Sequence, residues 1–212
     1  MKSLLLVTLF AALAGTALAD DVALLRLRFA NQKTEARVAI ELFEADAPAT
    51  VANFKKLIRK GFYKGCAFHR AFPGTLVQIG DPYSRGKERG KVGTGGPGYT
   101  VVPEIRRRHP AGTVSMARLP DKLNPARVSN GSQFFVCLTD LPSYDGQYTA
   151  FGRVLYGMEA LTAISNLPVD TNDYPTERVY VREARLVPRE RLPAAPTTPG
   201  PTPMKRPWWR IF

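Results

Sequence analysis

Two stretches of the 212-residue chain concentrate side chains that could line a site. The first runs over 61–70 as GFYKGCAFHR and continues over 73–82 as PGTLVQIGDP. The second is SMAR at 115–118 and, after a loop, NGSQFFV at 130–136. No Ser or Cys lies in a nucleophile-elbow motif, and no paired carboxylates are flanked by aromatic residues, so the usual covalent and acid–base machinery is missing. Two Cys and two scattered His make no zinc-ligand pattern and no disulfide scaffold. The Gly-rich run at 93–99 lacks the Lys-Ser/Thr of a phosphate loop and is followed by no helix pattern, so it reads as a turn. Arg106, Arg107, Arg108 and His109 have no aromatic stacking platform beside them and read as a solvated loop, not as a nucleic-acid site.

The elements that must position these residues follow from periodicity. Alternation predicts strands over 22–29 and 36–43, joined by a turn at Asn31-Gln32-Lys33. Pro48 suits a first helical turn, Val51, Phe54, Leu57 and Ile58 then share one helical face, and Gly61 ends the run. Further strand-like pieces lie over 67–72, 76–79, 112–117, 133–138, 149–154 and 178–186, with a short helix over 158–166. On the strand expected over 67–72, Phe68 and Arg70 share a face, and Gln133 and Phe135 do so on theirs. Many short strands, Gly/Pro-rich connections and two helices predict a mainly β fold: a closed, eight-stranded antiparallel barrel capped by two α-helices.

The two ends read differently. Lys2, the apolar run over 3–14 and the Ala17-x-Ala19 site predict a signal peptide over 1–19, cleaved before Asp20, and hence a periplasmic or secreted protein. That run falls short of the ~20 residues needed to span a bilayer. The segment 188–212 carries Pro193, Pro196, Pro199, Pro201, Pro203 and Pro207 and reads as a basic, Pro-rich extension without packed structure. Its paired Trp208 and Trp209 beside Lys and Arg allow weak contact with a membrane surface. The body is then one domain over 20–187. The net charge of +12 allows salt-sensitive attraction to polyanions, but no nucleic-acid motif accompanies it. No oligomerisation signal is present, so a monomer is expected.

From about Val38 to Gly157 the chain resembles the cyclophilin family of peptidyl-prolyl cis/trans isomerases, in its bacterial, exported form. The resemblance is carried, in order, by APATVANF, FHR, QIGDP, GTGGPGYT, GSQFF and YTAFG. It implies an enzyme that accelerates X-Pro isomerisation in exported proteins, needing no cofactor and no metal. Such a reaction twists an amide over a barrier of ~18–20 kcal/mol without breaking a bond. A catalyst therefore needs an apolar slot for the prolyl ring, a donor at the twisted amide and anchors for the flanking backbone.

By the resemblance Arg70, Gln78 and Phe135 form the catalytic set, Arg70 supplying the fixed guanidinium donor. Leu76, Thr75, Ala117, Arg118, Gln133, Tyr144 and Tyr148 bind substrate. Thr75 stands where the family usually has a Phe in the proline pocket, a loss of apolar burial worth roughly 1.5–3 kcal/mol if uncompensated. The other function compatible with that change is a proline-peptide-binding module or chaperone without turnover. Ser143-Tyr144 replaces the Trp-Leu of animal members, and the loop over 119–129 is longer than in compact ones. His69 reads as a hydrogen-bonding structural residue, and Asn130-Gly131-Ser132 as a turn and not a glycan acceptor. Whether Cys66 and Cys137 pair is open from sequence.

Overall fold

The computed structural model describes residues 21–32, 34–86 and 89–195. Strands β1 (Asp21–Phe29) and β2 (Thr34–Leu42) form an antiparallel hairpin in which Val22 opposes Glu41. Alternation along β1 sends Ala23, Leu25, Leu27 and Phe29 into the interior, while Val22 and Leu24 join a smaller cluster on the other face. Helix α1 (Pro48–Arg59) has no cap of its own; the Glu104 carboxylate accepts from the backbone N–H of Ala49 at 3.0 Å and Thr50 at 2.9 Å. Its buried face is Val51, Phe54, Leu57 and Ile58, as the spacing predicts. Gly61, at φ 66°, turns the chain out of the helix in a conformation that favours glycine.

Four short strands come next: β3 (Arg70–Phe72), β4 (Leu76–Ile79), β5 (Thr113–Met116) and β6 (Phe134–Cys137). The remaining elements are β7 (Ala150–Tyr156), α2 (Met158–Ser165) and β8 (Val179–Pro188). All strands pair antiparallel in the order β3-β4-β6-β5-β7-β2-β1-β8. The sheet curls around a core that includes Phe29, Phe54, Tyr63, Phe134 and Phe151.

The closed barrel expected from sequence is instead a curled half-barrel with β3 and β8 at its two ends. The ladder stops because β3 has three residues and begins only at Arg70. The segment before it approaches β8 through a single bridge, Ala67 to Tyr180, and through the Phe68 N–H to the Val179 carbonyl at 2.9 Å. That break also separates Phe68 from Arg70: Phe68 is buried in the core, whereas Arg70 is exposed. The expected shared face does not form.

Strand β8 runs to Pro188, Arg189–Arg191 form a 3-10 turn, and Leu192 packs on the outer cluster of Val22, Leu24, Ala39 and Val187. Packed structure thus enters the segment read as an extension. The expected signal peptide and residues 196–212 lie outside the described residues. Cys66 and Cys137 are both free and buried, on opposite faces of the sheet: Cys66 in the main core, Cys137 beneath the outer cluster of Leu76 and Phe135.

Candidate active site

Register builds the site. One rung of the sheet runs Arg70–Gln78–Phe135–Ser115, each opposite the next across β3, β4, β6 and β5. The neighbouring rung two residues away is Phe72–Leu76–Cys137. Period-2 alternation puts Val77, Ile79, Phe134 and Val136 of these strands in the core, which leaves the two rungs on the outer face. Ser115 and Cys137 are buried, and Arg70, Phe72, Leu76, Gln78 and Phe135 of these rungs form the floor of an open groove of about 870 Å³. All ten residues expected in the site line it: Arg70, Thr75, Leu76, Gln78, Ala117, Arg118, Gln133, Phe135, Tyr144 and Tyr148.

The polar side of the groove is a fixed network. Gln133 Oε1 accepts from Gln78 Nε2 at 2.8 Å and from His69 Nε2 at 3.0 Å. Gln133 Nε2 donates to the carbonyls of Gly95 at 2.8 Å and Gly93 at 3.0 Å. Its amide can therefore point only one way, and Gln78 Oε1 has no internal partner among the described residues. Burial lowers the His69 pKa, so the imidazole is neutral and serves as a donor, the structural role read from sequence. The Gly-rich turn is held in turn by Asp81, fully buried, whose Oδ2 accepts from the Gly93 and Gly95 N–H groups and whose Oδ1 accepts from Tyr83 N–H. A Cβ on Gly95 would lie 2.2 Å from Asp81 Oδ1, so this close approach requires glycine. Asn130 completes the frame: its Oδ1 accepts from Gln133 N–H at 3.0 Å and its Nδ2 donates to Gly95 O at 3.0 Å. The amide a glycan would need is thus bonded internally, and Asn130-Gly131-Ser132 is a turn.

The apolar side is aromatic. Tyr144 and Tyr148 meet the Phe135 ring edge-on, each with centroids 5.5 Å away. Phe72, Leu141 and the two tyrosines pack on Leu76, Phe135 and Cys137. These rings supply apolar wall beside Thr75, whose hydroxyl turns back to the Pro73 carbonyl at 3.3 Å. Arg70 lies over the Phe72 ring at 4.9 Å and makes no ion pair among the described residues, so its guanidinium is available to a ligand. Arg118 is engaged: Nε donates to Gln147 O, Nη1 donates to Leu119 O, and the group pairs with Asp121. It fixes the long loop as a wall of the groove, in which Leu119, Pro120, Leu123 and Val128 take part.

Sequence reasoning misses the support under the rings. His109, read as the end of a solvated run, is 1% exposed. Its Nδ1–H donates to Asp145 Oδ1 at 3.2 Å, and its Nε2 accepts from Ser115 Oγ at 3.0 Å. The chain of contacts is that of a hydrolytic triad, but Ser115 is wholly buried and cannot meet a substrate. The ring stacks near Phe135 at 6.4 Å and lies edge-on to both tyrosines, so it positions them. Burial lowers its pKa against the pull of Asp145. The partners come from six and 36 residues away, so no local pattern marks this histidine. Arg106 and Arg107 of the same run are engaged with Ala45 O and Asp46.

An open groove with Arg70, unpaired among the described residues, at one end and no Ser or Cys in its lining matches a class of catalyst that turns a bond without cutting it. The chain belongs to the cyclophilin-type peptidyl-prolyl cis-trans isomerase/CLD family, whose model matches residues 27–186. It is 40% identical over 135 residues to a peptidyl-prolyl cis-trans isomerase of Helicobacter pylori, covering 62% of this chain and 75% of the relative. Against peptidyl-prolyl cis-trans isomerase B of Bacillus subtilis it is 40% identical over 133 residues, covering 61% and 84%. A crystal structure of a Cryptosporidium parvum cyclophilin type peptidyl-prolyl cis-trans isomerase superposes with a TM-score of 0.64 at 29% identity, covering 77% of this chain and 98% of that one. The same protein in the presence of the dipeptide Ala-Pro gives 0.63 at 28% identity, covering 77% and 96%. The activity is peptidyl-prolyl cis/trans isomerisation.

Proposed function

We propose that this isomerase is exported and speeds the folding of exported proteins as a monomer, and that the groove on β3, β4, β5 and β6 is where it does so. The signal-peptide pattern over 1–19 supports export, and slow X-Pro isomerisation supplies the need. The observation that carries the site is the single rung Arg70–Gln78–Phe135, which sets a guanidinium without an ion pair among the described residues beside an aromatic floor.

The prolyl ring packs on Phe135 and Leu76, with Tyr144 and Tyr148 as the wall that Thr75 does not provide. Arg70 donates to the amide as it twists, where nitrogen has lost its resonance and gained a lone pair; this interaction is stronger in the twisted state than in either planar one. Gln78 Oε1 and the edge formed by Ala117 and Arg118 hold the flanking backbone. Gln133 orients Gln78.

Cis–trans exchange of a short Ala-Pro peptide, followed by NMR with the native chain and with Arg70→Ala, tests the site. Exchange well above background that falls ~100-fold or more in the variant supports it; exchange unchanged by the substitution removes Arg70 from its role. Export is tested by sequencing the N-terminus of the secreted or periplasmic protein. Asp20 is the expected first residue, and a chain retained in the cytosol with residues 1–19 intact would overturn this part.

A further inference from the structure

The groove lies on the same face of the sheet as the point where the chain leaves the fold. Across the sheet, Val187 opposes Val22, Val22 opposes Glu41, Glu41 opposes Arg153, and Arg153 opposes Thr113. On the same face, Leu76 of β4, which lines the groove, opposes Cys137 of β6. Val22 and Val187 belong to the outer cluster on which Leu192 packs, and Leu76 and Cys137 to the outer cluster under the groove. The Arg189 guanidinium bonds Glu41 of β2, and Leu192 packs on a cluster that includes Val22 and Leu24 of β1 and Ala39 of β2.

Beyond Leu192 the chain itself carries substrate chemistry. Thr198-Pro199, Gly200-Pro201, Thr202-Pro203 and Arg206-Pro207 are all X-Pro bonds. From β8 to β4 there are six strand spacings of ~4.8 Å, or about 29 Å. At the polyproline rise of ~3.1 Å per residue, Pro203 lies up to ~34 Å and Pro207 up to ~46 Å from Leu192, whereas Pro199 lies only ~22 Å away. Trp208 and Trp209 come directly after Pro207, and the rim of the groove carries Leu119 and Leu123, 60% and 70% exposed, for them to cover.

We infer that the Pro203–Pro207 stretch of this chain occupies its own isomerase groove, as a tethered competitor of incoming substrate. The inference rests on the groove being the prolyl site. A tether of this length presents the proline at about millimolar effective concentration, and substrate then sees only the unoccupied fraction of grooves. The competition is overcome by abundant or tightly binding clients, which sets a threshold for action. Lys205 and Arg206 approach Arg70, so docking strengthens as salt screens the repulsion. Attachment of the same residues to an anionic membrane would weaken with salt.

The two tryptophans of the chain are Trp208 and Trp209, so tryptophan emission, excited selectively over the tyrosines, reports this stretch alone. In the full chain it is expected to be blue-shifted and shielded from acrylamide, and to lose both properties on titration with a Trp-free Ala-Pro peptide. The double variant Pro203→Ala/Pro207→Ala is expected to lower KM for the test peptide ~2–10-fold with kcat unchanged. Emission that is solvent-like and indifferent to peptide, with an unchanged KM in the variant, overturns the inference. So does a shift that vanishes on dilution, which assigns the stretch to a second copy. A shift seen only with phosphatidylglycerol vesicles and lost in salt assigns it to a membrane and overturns it as well. Arg70→Ala separates the two levels: if it keeps full turnover the site reading fails, whereas lost turnover beside indifferent emission sinks only the tether.

Discussion

Strands β1, β2 and β8 have nine, nine and ten residues, whereas β3, β4, β5 and β6 have three or four, and the two halves of the sheet are held in different ways. The long half relies on continuous ladders and on surface ion pairs such as Glu35 with Arg26, Arg28 and Arg182. The short half cannot rely on ladders. Asp81, Asn124, Asn130 and Asp145 instead bond backbone groups of the connections, and Gln133 and His109 tie those connections to the groove. The long half keeps the fold together, and the short half keeps a few side chains in place. The residues expected to contact substrate fall wholly on the second.

Leu27→Ala is the strongest challenge to that division. Leu27 is fully buried in β1, and its truncation should cost about 2–5 kcal/mol in denaturant unfolding. Turnover per folded molecule should stay within about twofold of native. A large loss of turnover at equal folded fraction would break the comparison. Gly95→Ala probes the other side: a Cβ 2.2 Å from Asp81 Oδ1 must displace the turn that orients Gln133. Steady-state kinetics should show kcat/KM reduced roughly 10–100-fold, out of proportion to any change in stability. A variant that merely melts earlier would mean the turn has no hold on the groove.

A smaller effect comes with pH. Both His69 and His109 have pKa values lowered by burial, so the unfolded chain binds more protons than the folded one as pH falls below about 6.5, and stability drops there. Glu35 and Asp170, whose pKa values are lowered on folding, contribute stability that is lost only at lower pH, through the carboxylate range. The decline in Tm between about pH 6.5 and 5 therefore belongs to the histidines, and His109→Gln should flatten it. An undiminished slope in that variant would remove His109 from the account. The least effect is expected for Glu35→Gln, under ~1 kcal/mol because its partners are solvent-accessible. A cost of several kcal/mol would show that the long half leans on its surface charges after all.

Legibility in sequence divides along the same line. The long strands and both helices are readable because their burial alternates or repeats over many residues: β1 is expected over 22–29 and spans Asp21–Phe29, and α2 is expected over 158–166 and spans Met158–Ser165. The piece over 67–72 looks like a uniform strand, yet only Arg70–Phe72 pairs, since the bridge at Ala67 belongs to β8 and a kink lies between. For that reason periodicity suggests a closure that the barrel does not reach. The ten groove residues are recognisable through family motifs, and they do meet. Asp81 lies within the QIGDP motif, yet nothing in sequence signals that three backbone N–H groups converge on it. His109 is hidden because its burial depends on Ser115 and Asp145, partners that only tertiary structure brings to it.

The placement of the two cysteines gives the molecule a pair of internal clocks. Burial raises both thiol pKa values, Cys137 to about 12, so neither reacts while the protein is folded. Cys137 sits under Leu76 and Phe135 and becomes accessible when the groove half loosens; Cys66 becomes accessible only when the main core opens. Alkylation under native conditions thus measures two separate opening free energies in one chain, local at Cys137 and global at Cys66. The ratio of the two rates gives directly how much more readily the groove half breathes than the scaffold that carries it.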